Sequence, residues 1–425
     1  MIGINSISLR QILVSCCAFW APWGPAITLP FVHARASRAF ASFAVLLIVY
    51  WCFLLPGKLR SFPKSYNLLV LLIVVHTCVT YGLVYPEEFR STVDTIGVTD
   101  GTLLVVGQEG RTLIARYFLN LLFAYALASA IRTRRDLMLI ALAFGFGFCA
   151  MMVSVSSQVI FYGEKFFRYT GGFLNPNELG QSAMVAMFLS MLVLLTKEAV
   201  PMAKVLGTVS LLAGFYGLVS SGSRSAMIGM CIGFTVILWN SSFKKRLRLI
   251  VLGGLLGACV LLFISDETWN SLSARLSVQG VAETRVSYRP DIFNDYLTQF
   301  PKYAIAGVGL HRATKVTMDT YTTPINFEPH NAYLGSLVEF GCLGLVLLIL
   351  SLRQFWRGLA IQLRHGLPVM ADTLMLGFLL GWAVLLFAGS SESRSFCFSL
   401  GIIAACRRMN MQDEHGLAHK TQHSN

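Results

Sequence analysis

Charged residues are scarce in this chain. They make up 13% of its 425 residues, whereas hydrophobic residues make up 55%. A soluble globular domain has about 25% charged residues, so the composition excludes a single water-soluble domain. Long apolar runs recur from one end of the chain to the other. They predict an all-α, polytopic integral membrane protein, because a helix satisfies its own backbone polar groups inside a bilayer.

Clusters of metal-binding side chains are also missing from the sequence pattern. The ten cysteines lie within or beside apolar runs, and none has the spacing of zinc ligands. No group of carboxylates outside the apolar runs has the pattern of a metal site. We therefore expect no metal and no cofactor. The net charge of +13 comes from short basic clusters between apolar runs, which are typical of cytoplasmic loops and do not indicate nucleic-acid binding.

The apolar runs predict about twelve transmembrane helices. They lie near 11–32, 39–55, 67–84, 112–131, 137–160, 179–196, 205–220, 225–239, 249–265, 331–352, 369–388 and 393–406. With the N-terminus inside, the short cytoplasmic segments hold about twice as many Lys and Arg residues as the short external ones, which favours this orientation.

The predicted organisation is a single membrane domain over residues 1–425. One large external loop, 266–330, is inserted between helices nine and ten, and a polar tail, 409–425, is expected to be disordered. Within the loop, "DETWNSLSARLS" and "RPDIFNDYLTQFP" predict two short amphipathic helices, the second beginning near Pro290 and ending at Pro301. They would lie over a cavity mouth or rest on the membrane surface. The acidic stretch 85–110 is predicted to be a second, smaller external loop.

Unusual polar residues collect in the predicted external segments. They are Asn177 in "GGFLNPNELG", Arg224 in "SSGSRSA", Arg289 in "SYRP", Glu328, His330 and Asn331 in "EPHN", and Arg394 in "SSESRS". Taken singly, an arginine or histidine at a helix end is typical of an interfacial anchor. Together they would form a cationic pocket at the lipid boundary, where arginines bind phosphate oxygens and a neutral histidine accepts a proton near pH 7.

Two further ionisable residues fall inside predicted helices. Glu339 lies nine residues beyond His330, and we interpret it as a contact between helices rather than a catalyst. His76 falls in the middle of the third predicted helix and is interpreted as a core histidine whose hydrogen bonds are satisfied.

These stretches resemble the O-antigen ligase and O-antigen polymerase superfamily of bacterial inner membranes. The similarity covers most of the chain and is strongest in "GGFLNPNELG", "SGSRSA" and the region from "YRPDIFNDY" through "GVGLHR" to "EPHNAYLGSLVEFG". The resemblance implies a metal-independent glycosyltransferase that moves a glycan from undecaprenyl diphosphate to an acceptor hydroxyl on the periplasmic side. It also implies that Arg224 and Arg289 hold the diphosphate and that His330 activates the acceptor. Asn331 and Glu328 would orient His330, while Asn177 and Arg394 would support the pocket.

Three functions remain open at this point. A ligase would join O-antigen to lipid A–core, and we favour it because a single large external loop precedes the His-Asn helix. A polymerase would join repeat units on the same lipid carrier. A transporter or flippase is disfavoured, because no inverted repeat is visible in the sequence. The expected partners are the lipid-linked donor, a lipid A–core or glycan acceptor and membrane lipids, without nucleic acid.

Overall fold

The computed structural model of the chain is mainly α-helical. It describes residues 8–23, 36–54, 62–89, 92–99, 102–154, 159–162, 166–169, 176–196, 199–263, 266, 269–270, 273, 289–316, 329, 331–364, 370–386 and 394–422. The predicted first loop helix, "DETWNSLSARLS", lies largely outside these residues, as do His330 and Glu328.

The helices follow the predicted apolar runs closely. They are α1 (Leu9–Trp20), α2 (Ala36–Leu54), α3 (Lys64–Val79) with a π-helical extension (Thr80–Val84), α4 (Gly110–Ala130), α5 (Arg134–Ser154), α6 (Pro176–Leu195), α7 (Pro201–Ser221), α8 (Arg224–Trp239), α9 (Phe243–Phe263), α10 (Arg289–Thr298), α11 (Phe300–Tyr303), α12 (Ala313–Val316), α13 (Ala332–Arg364), α14 (Met370–Leu385) and α15 (Arg394–Gln422).

Within the described ranges, six helical segments are long and apolar enough to cross a membrane. They are Lys64–Val84, Arg111–Ala130, Arg134–Ser154, Pro176–Leu195, Pro201–Ser221 and Ala332–Ala360, and four shorter apolar helices accompany them. The chain is therefore a multi-pass membrane protein. A crossing at each of the twelve predicted positions stays a prediction, as does the external placement of the large loop.

Two details of the sequence prediction change. Pro301 does not end the second loop helix, because α10 already ends at Thr298 and Pro301 lies within the short helix α11. The polar tail begins as helix, since α15 continues to Gln422.

Two β-hairpins are present in addition to the helices. Strands β1 (Thr92–Thr99) and β2 (Thr102–Glu109) pair antiparallel in the stretch predicted to be an acidic loop. Strands β3 (Val159–Tyr162) and β4 (Phe166–Tyr169) pair in the same way after α5. The first hairpin has a clear sequence signal, because Asp-Gly separates two runs rich in valine and threonine.

A buried carboxylate marks one end of the helix bundle. Asp136, in the first turn of α5, forms a bidentate ion pair with Arg10 of α1 at 2.8 and 3.2 Å. It also accepts the backbone N–H groups of Arg132 and Thr133 at 2.9 and 3.0 Å. Arg408 of α15 donates to the carbonyl of Ile131 at the same place. We call this end of the bundle the Asp136 end.

Glycines bring α8 and α14 into direct backbone contact. A Cβ added to Gly229 would lie 2.7 Å from the carbonyl oxygen of Gly381, and one added to Gly233 would lie 2.6 Å from that of Gly377. Small residues four apart allow this close approach in membrane helices. The pairing is antiparallel, so α8 begins where α14 ends. That location is opposite the Asp136 end, and we call it the site end.

Substitution of Gly233 by alanine is expected to lower the thermal unfolding midpoint in detergent. The added methyl group must displace the backbone of α14, and such overpacking typically costs about 1–3 kcal/mol. Gly254→Ala in α9 is the matched control, because nothing lies within 4 Å of its added Cβ. The control should be neutral or slightly stabilising. Equal midpoints for the two variants would show that the α8–α14 contact is not close-packed.

Candidate functional site

The N-termini of α6, α8, α13 and α15 lie close together at the site end. A Cβ added to Gly180 of α6 would lie 2.7 Å from Cβ of Ser223, immediately before α8. The hydroxyls of Ser182 in α6 and Ser395 in α15 are 2.8 Å apart. Helix N-termini carry partial positive charge and unpaired N–H groups, so this arrangement favours an anion.

The start of α13 also lies at the site end, where it is hydrogen-bonded to the last turn of α14. The N–H of Ala332 donates to the carbonyl of Leu386 at 2.8 Å, and the hydroxyl of Tyr333 donates to that of Ala383 at 2.7 Å. Because Gly229 faces Gly381 across α8 and α14, the start of α8 lies beside Leu386. The structure therefore brings together "NPNELG", "SGSRSA", the residues after His330 and the start of α15, which are far apart in sequence.

Arg224 is the first residue of α8 and is partly buried. The tight turn before it fixes its backbone: Gly222 caps α7, and the Ser223 side chain accepts the N–H of Ala226. Asn177 is the second residue of α6, one turn before the contact between Gly180 and Ser223. These two predicted site residues thus lie on neighbouring helix ends.

Arg394 is tied to the first two helices. Its Nη1 donates to the carbonyl of Trp23 at 2.9 Å, and its guanidinium carbon lies 4.2 Å from the ring centroid of Phe40. Glu178 and Arg116 are the charged groups that act on it electrostatically. Arg116, on α4, was not singled out from the sequence, because a lone arginine inside an apolar run gives no signal of its neighbours.

Asn331 begins α13 as its N-cap. Its Oδ1 accepts the backbone N–H groups of Tyr333 and Leu334 at 2.9 and 3.1 Å. The amide oxygen thus has a structural role, and any orientation of His330 by Asn331 would use Nδ2 instead. Arg289 is the first residue of α10, and its side chain lies outside what the structure describes. The roles predicted for His330, Glu328 and Arg289 stay predictions.

Glu339 contacts the loop. Its carboxylate accepts the backbone N–H of His311 at 2.8 Å, and the predicted contact between helices stays a prediction. This partner lies 28 residues earlier in the chain. Hydrophobic periodicity within α13 carries no information about such a contact.

Among the residues that the structure describes, no group of three His, Cys, Asp or Glu side chains is placed to hold a metal ion. The charged side chains described around the start of α15 include Arg394, Arg116 and Glu178, and Arg224 begins the neighbouring helix α8. Chemically, such an arrangement of guanidinium groups and helix N-termini suits a phosphate-bearing ligand.

Comparison with known families identifies the region around this site. Residues 209–349 match the family model Wzy_C, described as O-antigen ligase. This part of the chain is similar to O-antigen ligases. This match supports the O-antigen ligase and polymerase superfamily inferred from the sequence motifs. No curated protein matches the chain significantly.

The matched region contains five of the predicted site residues: Arg224, Arg289, Glu328, His330 and Asn331. Asn177 and Arg394 lie outside the matched residues and reach the site end through the packing of α6 and α15. The site therefore combines the matched region with helices that precede and follow it.

Proposed function

We propose that this protein is a membrane glycosyltransferase that moves a glycan from undecaprenyl diphosphate to an acceptor hydroxyl. The reaction takes place at the site end, which faces the periplasm of a bacterial inner membrane. The observation that carries the proposal is the convergence of Arg224, Arg394 and four helix N-termini beside the region that is similar to O-antigen ligases. A diphosphate is the anion that this arrangement fits.

The proposed reaction breaks one bond and forms one bond at the anomeric carbon of the glycan. The carbon–oxygen bond to the diphosphate breaks, and undecaprenyl diphosphate leaves with the bonding electrons. The acceptor oxygen forms the new bond, and its proton passes to His330. Arg224 and Arg289 stabilise the charge that develops on the leaving diphosphate, as a metal ion does in other transferases. Arg394 adds positive charge near the leaving diphosphate and also ties the start of α15 to Trp23, just after α1.

The favoured acceptor is lipid A–core, which makes the protein an O-antigen ligase. The single large loop that the sequence places before α13 supports this choice. The test supplies purified protein with an undecaprenyl diphosphate glycan and either lipid A–core or a second lipid-linked glycan. A ligase adds the glycan mass to lipid A–core. Growth of the lipid-linked glycan alone would identify a polymerase and overturn the ligase assignment.

Glycan transfer is expected to continue in the presence of EDTA. In the proposed mechanism, guanidinium groups occupy the place of a divalent cation at the leaving group. The measurement compares initial rates in EDTA-treated protein before and after Mg²⁺ or Mn²⁺ is added in excess. A rate that collapses with EDTA and returns with either cation would contradict the metal-independent mechanism.

A further inference from the structure

The loop segment Ala304–Arg312 runs alongside α3 and its π-helical extension, in the same direction. Three side-chain contacts occur in the same order along both chains: His76 with Ala306 at 2.7 Å, Tyr81 with Leu310 at 2.6 Å, and Arg312 with Glu88 at 2.9 Å. The carbonyl of Ala306 only accepts, so Nε2 of His76 donates to it. Nδ1 is then left to accept the hydroxyl of Thr80 at 3.2 Å. Both ring nitrogens of this core histidine are bonded, as the sequence analysis predicted.

The lowest part of this segment lies beside the middle of an apolar helical stretch that is long enough to cross a membrane. His76 is eight residues before Val84, where the apolar stretch able to span the bilayer ends. At about 1.5 Å per residue, this places Ala306 about 12 Å below the end of the stretch. Helix α13 runs antiparallel to α3 and is consistent with this depth. Its Phe340 packs against His76 with ring centroids 5.7 Å apart, so the two residues lie at the same depth.

Most of the backbone N–H groups of the segment are bonded within the protein. The N–H groups of Gly307, Val308 and Gly309 donate to the backbone carbonyls of Tyr303, Val338 and Glu339 at 2.9, 2.9 and 3.0 Å. The N–H of His311 donates to the Glu339 carboxylate at 2.8 Å. The carbonyl of Ala304 accepts the N–H of Cys342 at 2.8 Å. Irregular backbone is tolerated at membrane depth only where such partners replace water. These hydrogen bonds are thus typical of an irregular backbone that is shielded from water.

A break in α13 makes room for the segment. Gly341 has φ 70°, and its backbone is not helical, although helix continues on both sides. An added Cβ at Gly341 would collide with the carbonyl of Ile305, and one at Gly307 would collide with the backbone of Glu339. The two chains therefore meet backbone to backbone at this depth.

The exposed side chains of the segment and its approach are largely apolar. Ile305 is 91% exposed, and Leu297 and Phe300 before it are 58% and 39% exposed. Beyond the break, the lipid-facing surface of α13 continues with Leu343, which is 54% exposed. Lys302 is also exposed, and its long side chain can extend toward the headgroups.

We propose that Ala304–Arg312 is a re-entrant segment that inserts into the leaflet at the site end, with Ile305 in contact with acyl chains. The occupant of this surface is lipid, because the surface is continuous with the membrane-facing side of α13. The segment thereby anchors the start of the chain that leads to His330. This inference concerns where the loop lies, and it holds whatever reaction the protein performs.

The test places a nitroxide spin label at Ile305→Cys in a cysteine-depleted protein reconstituted into liposomes. Collision with lipid-soluble oxygen is compared with collision with a water-soluble nickel chelate. Leu343→Cys serves as the lipid-facing control, and Glu87→Cys, exposed just beyond the π-helical extension, serves as the aqueous control. We expect position 305 to match Leu343, with high oxygen and several-fold lower nickel accessibility than position 87.

Two other results would overturn the proposal. Nickel accessibility equal to that at position 87 would place the segment in water. Low accessibility to both reagents would show that protein, such as a second copy of the chain, covers Ile305. Because the label replaces an exposed side chain, a circular dichroism spectrum unchanged from wild type is expected and confirms that the comparison is valid.

Discussion

Replacement of His330 by alanine is expected to slow glycan transfer by about 10²–10⁴-fold while donor binding persists. A general base in the transition state typically contributes this factor. His330 immediately precedes the N-cap of α13, whose first N–H is bonded to the last turn of α14. The chain that directly follows His330 is therefore fixed beside the start of α8. The measurement is the single-turnover rate with saturating donor, together with the dissociation constant of the donor.

The pH dependence and a second variant separate a base from a positioning group. The neutral imidazole takes the proton, so the wild-type rate should fall as pH drops through the histidine pKa, whose reference value is about 6.5. His330→Gln keeps a hydrogen-bonding group but is not a base near pH 7, so it should be nearly as slow as alanine. His415→Gln, in the part of α15 beyond the Asp136 end, is the matched control and should keep the wild-type rate. Wild-type activity in His330→Gln would refute the assignment of His330 as the base. Loss of donor binding in His330→Ala would instead assign His330 to the diphosphate pocket.

Substitution of Arg224 by alanine should reduce kcat/KM for the donor by about 30–150-fold. Charge-assisted hydrogen bonds of the kind that arginine makes with phosphate contribute about 2–3 kcal/mol, and each 1.36 kcal/mol is a factor of ten in rate. Arg224→Lys should restore part of the loss, because lysine keeps the charge but lacks the planar fork. Initial rates over a range of donor concentrations provide the measurement.

The control for Arg224 is Arg353→Ala, which removes an exposed arginine from α13 near the Asp136 end. It changes the net charge equally but lies far from the site end, so it should leave kcat/KM unchanged. Equal losses in the two variants would attribute the effect to overall charge. Full activity of Arg224→Ala would remove this residue from the diphosphate site.

The sequence was informative where a property is local. Apolar runs predicted a helix at each position where the structure has a long one, and the tight turn "SGSRSA" marked the start of α8. Two further features of the sequence are local as well. The Asp-Gly pair predicts the first hairpin, and the glycines of "GMCIG" and "GFLLG" predict close packing of α8 against α14.

The contacts that shape the site depend on packing between distant parts of the chain. Arg394 bonds to Trp23, which lies 371 residues away, and Glu339 accepts the backbone N–H of His311 in the loop. Composition and periodicity describe one helix at a time, so they do not show which helix ends meet. The break at Gly341 is likewise invisible in the apolar pattern of α13, since the hydrophobic run continues across it.

The central claim is that the site end cleaves the bond between glycan and lipid diphosphate. Release of undecaprenyl diphosphate from a labelled lipid-linked glycan, by purified protein in liposomes, tests it most directly. We expect one undecaprenyl diphosphate for each glycosidic bond formed, only when acceptor is present, and a rate that falls in both Arg224→Ala and His330→Ala. Movement of the intact donor across the bilayer without release of undecaprenyl diphosphate would contradict the claim and identify a flippase.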